Sequence, residues 1–599
     1  MKKQGIVSIL GLCDSNSGSS FHRIYTPITS LHDKEIEVNG DKCIIKSTIK
    51  TTSTAEKQFT EQDLIDFDII AVNWMMLNNP NTLATLCKKH NTLIYYDLDD
   101  SYQLDSQHIN RKLYLTKDSR GKAVDMYPYL QSSIISHAAN ADLVTTSNTD
   151  LLKMISSYCS FAGVSPNYLP IGFGEFIGKP EPRDPNSPIV IALMGSISHI
   201  NDYKSIRNIW NRISSDSEIR TKCKLQIIGY TEGDKQWEEI KNIFSVNNFE
   251  VEIIPAVSPD KYMDLLNSVD ILLKPLEDTE FNQCKSGISL IEAAIKEIPV
   301  ISGEVYSKKE DFNAYIMCEK ASDWFKVIKT LIKKNSERIY EFEKVGKILS
   351  EQNLKVNNFP YRIEKIKAGI EYCLNNEYKM DSDLQVYGIC YDDLQYTEYK
   401  KILNVNIEKP WRFEYQVMID KLEEIKSLSE PSYVGFFSHK YPVKTQLSFK
   451  ITDKVFREHK NSGYDMYNFA HNWWSNGKEF LEFSEKAHPG LTDIVKICIS
   501  KLGKEYFENP KVVSYSNFHL FTRDRYVDYL ENWIIPSITY MENDIWDLVN
   551  QDAQYKGGLS SEDLEKYTGM TYYNFVTFVC ERLIGQYVMN NNLKLINIG

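Results

Sequence analysis

Short, uninterrupted apolar runs alternate with helical patterns along the first 375 residues of this 599-residue chain, and that alternation limits the fold more than any other feature. A strand that is apolar at every position has no face to give to water. It belongs inside a parallel sheet covered by helices on both sides. The first series has strand candidates at residues 5–12, 68–74 (DIIAVNW), 92–97 (TLIYYD) and 141–147 (ADLVTTS), with 168–173 ending it. An amphipathic stretch at 23–31 and helical patterns at 80–90, 129–139 and from Asp150 fill the intervals. Residues 1–178 therefore read as a doubly wound α/β domain.

The segment 178–188 (GKPEPRDPNSP) is proline-rich and nearly without apolar groups, so it reads as a linker. A second series then starts, with strands expected at 189–194, 225–229, 251–256, 271–276 and 299–302. Helical stretches at 323–349 and 362–374 close a second Rossmann-like domain, 185–375, the last helix being expected to pack back on the first domain. After the polar segment 375–383 the composition shifts toward Tyr, Trp and Phe. Strands are expected at 384–390, 433–438 and 516–519, and helices at 413–428, 525–540 and 573–589. Residues 384–599 are expected to form a separate α+β domain, being numerous enough to bury a core of their own.

Composition removes several classes. A formal net charge of −12 argues against a protein that coats nucleic acid through phosphate contacts, although a local basic groove for an anionic ligand remains open. The 11 Cys show no CxxC spacing and no zinc-ligand pattern, which fits free thiols in a reducing compartment. The apolar run at 6–12 is too short to span a bilayer, and no later stretch is long enough. The expectation is a cytoplasmic, soluble protein without a transmembrane segment.

Loops at the carboxyl ends of parallel strands face the ligand crevice. After the first strand, the small residues of 14–20, including Gly18 and Ser19, let backbone N–H groups approach a phosphate or sugar; the plainer reading is a surface turn. The run YYDLDD ends with Asp97, Asp99 and Asp100, carboxylates that repel one another unless they meet water, a cation or sugar hydroxyls. They read as a hydroxyl-binding or metal site, or simply as a capped helix start. In the second domain Gly195-Ser196 ends a strand and is followed by His199 and Lys204. Lys274 ends another strand, and Lys285-Ser286 precedes a helix carrying Glu292. A cation, a hydroxyl and free N–H groups suit a diphosphate there, and Glu292 suits ribose hydroxyls or a surface salt bridge.

These pieces resemble a family. The Ser19/Ser20–Arg23–Pro27 stretch, YDLDD at 96–100, ADLVTTS, NYLPIGFG at 167–174, GSISHINDY at 195–203 and LKPLEDTEFNQCKSGISLIEAA at 273–294 are similar to retaining, family-four-like GT-B glycosyltransferases. The resemblance covers about residues 1–375. It implies two Rossmann-like domains and transfer of a hexosyl or pentosyl group from a nucleotide diphosphate sugar to an acceptor hydroxyl. It implies donor binding by Gly195, Ser196, His199, Lys204, Lys274, Lys285, Ser286 and Glu292, an acceptor side with Gly18, Ser19, Arg23 and Asp97, and catalytic carboxylates at Asp99 and Asp100. Two positions depart: Cys284 stands where the family has an acidic residue eight before Glu292, and an Arg is missing from the Gly195 loop, where His199 or Lys204 could substitute.

The 384–599 region resembles, in SYSNFHLFTRDRYVDYLENWIIPSI at 514–538 and FVCERLIGQYV at 578–588, a GT-A-like sugar-processing domain. Asp392-Asp393 is not a metal-binding DxD motif. The basic run Lys440, Lys444, Lys450, Lys454, Arg457 and Lys460 reads as an anionic acceptor site or a solvated face. Trp473-Trp474 reads as a stacking platform or as core, and Glu581-Arg582 as a helix pair. No metal is expected in the first two domains, and a divalent metal enters only if 384–599 is itself catalytic. The acceptor is read as a glycan or lipid-linked precursor of a surface or capsular polysaccharide. Two alternatives are a modified base in phage DNA, a nucleic-acid acceptor, and a non-catalytic sugar-binding scaffold.

Overall fold

A computed structural model describes residues 1–598 except 15–16, 75, 105–110, 112–114, 118–121, 171–186, 258, 309–313, 338–340, 393–394, 405–407, 430–431, 446, 470–476, 513–516 and 556–559. Most of the expected linker, Asp393, Trp473-Trp474, and Ser514–Ser516 lie outside the described residues. The chain divides into two compact units, 1–80 with 90–377, and 81–89 with 378–599.

Among the described residues the first unit holds two large sheets and a two-stranded ribbon. In the first, β1 (Ile6–Asp14), β2 (Glu35–Val38), β3 (Asp41–Thr52), β4 (Ile69–Asn73) and β5 (Leu93–Leu98) are joined, past a small β6 (Leu115–Lys117) and β7 (Ala123–Asp125) ribbon, by β8 (Leu143–Thr146) and β9 (Ala162–Val164). The order is β2-β3-β1-β4-β5-β8-β9, parallel apart from the β2–β3 hairpin. The fully buried β4 and β8 explain why their sequences carry no polar alternation. The β2–β3 hairpin was not anticipated. It turns on Asn39-Gly40, both at positive φ, the two-residue connection such a pair favours.

The second sheet is β10 (Ile189–Met194), β11 (Cys223–Tyr230), β12 (Val251–Pro255), β13 (Ile271–Lys274), β14 (Val300–Ser302) and β15 (Ile316–Met317), in the order β12-β11-β10-β13-β14-β15 and parallel throughout. Trp210, Trp237 and Ile328 cover one face. Leu290, Ile291 and Met263 cover the other. Both lobes are thus Rossmann-like. The helix Phe359–Asn375 returns to the first lobe, where Ile363, Ile366 and Ile370 join the core of Val7, Ile9 and Leu143.

The second unit is built on β16 (Leu384–Cys390), β17 (Lys400–Leu403), β18 (Tyr433–Ser438), β19 (Met466–Asn468), β20 (His519–Thr522) and β21 (Leu595–Asn597), ordered β17-β16-β18-β20-β19-β21. It is a mixed sheet in which only β20 runs against its neighbours. The strand expected at 516–519 begins instead at His519, because Asn517 sits in the left-handed region at φ 57° and turns the chain. The expected helix at 413–428 is two, Glu414–Asp420 and Leu422–Lys426. Residues 81–89, expected as part of the first domain, group with this unit.

Inside the first lobe Arg23 and Asp97 are both sealed from solvent. Arg23 Nε and Nη2 donate to the two Asp97 oxygens at 2.7 and 2.6 Å. Breaking a buried pair by neutralising one partner leaves an uncompensated charge. Asp97→Asn is expected to cost about 3–5 kcal/mol, measured as a lower urea midpoint of the unfolding transition that reports on this unit; an unchanged midpoint contradicts the role given to the pair.

Candidate functional site

The carboxyl ends of β1, β5, β10, β11 and β13 face a cavity of about 560 Å³ between the two lobes of the first unit. From the first lobe it is lined by Gly18, Ser19, His22, Asp99, Asp100 and Asn167. From the second come Gly195, Ser196, His199, Gly229, Thr231, Trp237, Tyr262, Lys274, Lys285, Ser286, Glu292 and Tyr306, among others.

On the first-lobe side, a short helix (Gly18–Ser20) runs into a π-helical turn (Phe21–Tyr25) and then Thr26–Ser30. Such turns re-aim consecutive side chains. His22 reaches the cavity while Arg23 points into the core. Ser19 donates to the Asp99 carboxylate and accepts from Asn73 Nδ2 at 2.9 Å. Desolvation in the cleft wall, and then the neighbouring Asp100 charge, push the Asp99 carboxyl up to about 6.

On the second-lobe side two glycines open the floor. A Cβ on Gly229, at φ 109°, would lie 2.2 Å from the Gly195 carbonyl oxygen. A Cβ on Gly195 would lie 2.8 Å from Tyr203 Oη and 2.9 Å from His199 Cδ2. His199 is held by Asp202, whose carboxylate meets its Nδ1 at 2.8 Å and also accepts from Glu277 N at 2.9 Å and Asn282 Nδ2 at 2.8 Å. Burial raises the Asp202 carboxyl above its ordinary value.

Lys274 ends β13 inside the cavity, with Nζ 3.4 Å from Met194 O. Burial, and then the Lys285 charge, bring its ammonium down to about 8. Lys285 pairs across the cavity with Asp100 at 2.9 Å and lies over the Phe281 ring. Ser286 accepts from Asn167 Nδ2 at 2.7 Å, just ahead of the helix Ile288–Ile295 that carries Glu292. Glu292 is buried, 3.3 Å from His22 Nε2 and bonded to the Tyr262 hydroxyl.

Gly18, Ser19, Asp99, Asp100, Gly195, Ser196, His199, Lys274, Lys285, Ser286 and Glu292 are therefore brought together around one cavity. Three expected site residues are not. Lys204 pairs with Glu239 on the helix surface at 2.8 Å and does not line the cavity, so it is no substitute for the missing Arg. Arg23 and Asp97 form the buried pair behind the wall, where neither can touch an acceptor. His22, Asn167, Trp237, Tyr262 and Tyr306 line the cavity but were not singled out. Asn167 lay within a quoted motif, whereas the aromatics come from helices and loops far apart in sequence. Among the described residues no group of three or more His, Cys, Asp or Glu side chains is placed to share a metal ion.

No protein-family profile and no curated protein matches this chain. Solved structures do. The Anabaena protein HepE in complex with UDP and glucose is similar at 11% identity and a TM-score of 0.41, covering 61% of this chain and all (100%) of that one. A sucrose-phosphate synthase from Thermosynechococcus elongatus is similar at 9% identity and a TM-score of 0.38, covering 61% of this chain and 98% of its own. The E. coli trehalose-6-phosphate protein bound with UDP-2-fluoro glucose is similar at 10% identity and a TM-score of 0.38, with 61% and 99% covered.

The two floor glycines yield an ordered expectation. Gly229→Ala meets backbone that cannot yield, whereas Gly195→Ala meets two side chains. Gly229→Ala should therefore lower the thermal midpoint more than Gly195→Ala, which is expected to cost about 1–3 kcal/mol as an overpacked site. Equal midpoints for both variants and the parent chain contradict the close β10–β11 approach.

Proposed function

We propose that the cavity binds a nucleotide diphosphate sugar and that the chain transfers the sugar to an acceptor hydroxyl, as a GT-B glycosyltransferase of the retaining type. The observation that carries the reading is the convergence of Lys274, Lys285, Ser286 and Glu292 opposite Ser19, Asp99 and Asp100 across one cavity. The two ammonium groups and the N–H groups around Ser286-Gly287 suit a diphosphate, whose charge grows as the sugar leaves. Glu292, desolvated and held by Tyr262, suits ribose hydroxyls. Asp99, half protonated near pH 6, suits an acceptor or sugar hydroxyl, with Ser19 fixing its orientation. Closure of the two lobes on the donor would exclude water that would otherwise hydrolyse it.

Of the two departures from the family pattern, the missing Arg has a physical answer and the Cys284 exchange has none. Cys284 is buried against Met154 and does not line the cavity. Lys274 places a cation in the floor where the loop lacks Arg. The acceptor in this reading is a precursor of a surface or capsular polysaccharide.

The test is release of nucleoside diphosphate from UDP- or GDP-sugars, together with titration of the free diphosphate. Lys285→Ala should weaken diphosphate binding by about 1.5–3 kcal/mol through loss of a charge-assisted contact. Asp100→Asn should abolish transfer yet tighten diphosphate binding, because it removes the carboxylate that competes for Lys285. Unchanged affinity in both variants contradicts the assignment.

The depressed Lys274 predicts a pH dependence. Below about 8 the ammonium is already charged in the free protein. Above that, a bound phosphate raises its pKa, so binding must take up a proton and affinity falls by up to about tenfold per pH unit. Calorimetry at pH 8.5–9 in buffers of different ionisation enthalpy should show this uptake in the parent and not in Lys274→Met. Equal uptake in both contradicts the role of Lys274.

A further inference from the structure

The second unit gathers, at one sheet edge, polar groups that the cavity of the first unit does not use. β17 and β18 flank β16 in parallel, so the chain leaves β16 to one side and returns on the other. That is a topological switch point, where ligands of open α/β sheets bind beyond the strands' carboxyl ends. Because β20 runs against β18, pairing Leu520 with Gly435, Asn517 stands at this same edge.

Three sequence motifs that have separate plain readings meet there at Glu414. Its carboxyl accepts from Asn517 Nδ2 at 3.3 Å and lies within electrostatic reach of Lys444, Glu581 and Lys440. The basic run 440–460 is divided by the fold. Lys460 is tied to Asp381 and Asp383, and Arg457 to Asp453, in structural pairs. Lys440 and Lys444 follow the end of β18 and are half-exposed at the edge. Glu414 itself begins a helix directly after Phe413, which holds φ 46° and ψ −130°. The surroundings leave hydrogen-bonding capacity open. Among the described residues the Tyr526 hydroxyl, fully buried and feeling the Glu414 charge, has no hydrogen-bond partner, and neither does the Nδ1 atom of His439, the first residue past β18.

We propose that this edge is a second ligand site, for a phosphorylated sugar, with Lys440 and Lys444 toward the phosphate and Glu414 and Asn517 toward hydroxyls. Cations beside a carboxyl and an amide match a ligand that carries both anionic oxygens and hydroxyl donors. A ligand carrying anionic oxygens alone would be repelled by Glu414 and Glu581. The site is independent of the reading given to the first unit.

The same chemistry occurs in a free sugar phosphate and in a nucleotide sugar, so both serve as probes on the full chain. Equilibrium dialysis with labelled glucose 1-phosphate and UDP-glucose is run on the parent, Lys285→Ala, Lys440→Ala/Lys444→Ala and Glu414→Gln. The expected result is a binding component for at least one probe that weakens tenfold or more in the lysine double variant and in Glu414→Gln, and survives Lys285→Ala. Which probe shows it identifies the source. Thermal midpoints verify folding, and the half-exposed lysines keep the test decisive if Glu414→Gln does not fold. Binding that is unchanged in the lysine variant, that disappears entirely with Lys285→Ala, or that is absent for both probes overturns the proposal.

Discussion

Arg23 and Asp97 meet in a place that water does not reach, and much of the first unit is organised by how their charges are satisfied. Besides the paired carboxylate, Arg23 Nη1 donates to Ser165 O and Asn167 Oδ1, both at 2.6 Å. Asp97 also accepts from Thr145. One guanidinium thus links the turn after β1, the end of β5, β8 and the loop after β9. Arg362, on the returning helix, adds bonds to Tyr168 O at 3.1 Å and His22 O at 2.8 Å. Burial and the nearby Arg23 bring its guanidinium down to about 9. Two buried cations beside the Asp97 carboxylate are tolerable only because backbone carbonyls and the side-chain oxygens of Asn167 and Ser165 fill the remaining donors.

That node sets the cavity wall. Asn167 holds Arg23 through its oxygen and Ser286 through its amide nitrogen, so the buried charge of one lobe is one side chain away from the start of the Ile288–Ile295 helix of the other. The Lys285–Asp100 pair and the His22–Glu292 contact cross the cavity beside it. Each bridge joins a cation or imidazole of one lobe to a carboxylate of the other. Under the proposed function a diphosphate in the cavity would compete with Asp100 for Lys285, and ligand binding would then be coupled to this contact between the lobes.

The sheets were legible because fully buried parallel strands leave a plain signature: β10 coincides with its apolar run, and β4, β5 and β8 lie within a residue or two of theirs. The β2–β3 hairpin was missed because β2 alternates Glu-Ile-Glu-Val and β3 carries many Lys and Thr, although Asn39-Gly40 marked the turn. Most expected residues at strand ends or on the Ser286 helix line the cavity, because the topology brings those ends there, although Asp97, inside the end of β5, does not. Arg23, Asp97 and Lys204 were misplaced for different reasons. Which way a side chain faces at a π-helical turn, and whether a cation finds a surface carboxylate first, depend on three-dimensional partners that spacing does not encode. His22 and Tyr262 were missed for the same reason, as their relevance comes from Glu292, distant in the chain.

The proposed function requires a nucleotide diphosphate to occupy the cavity of the first unit. An experimental structure of the full chain with UDP or a UDP-sugar bound tests this most directly. A diphosphate against Lys285, Ser286 and the Gly195–Gly229 floor, with Lys274 within reach of it and ribose hydroxyls at Glu292, is the expected result. A nucleotide seated elsewhere on the chain, or one whose phosphates point away from Lys285 and Lys274, would contradict it.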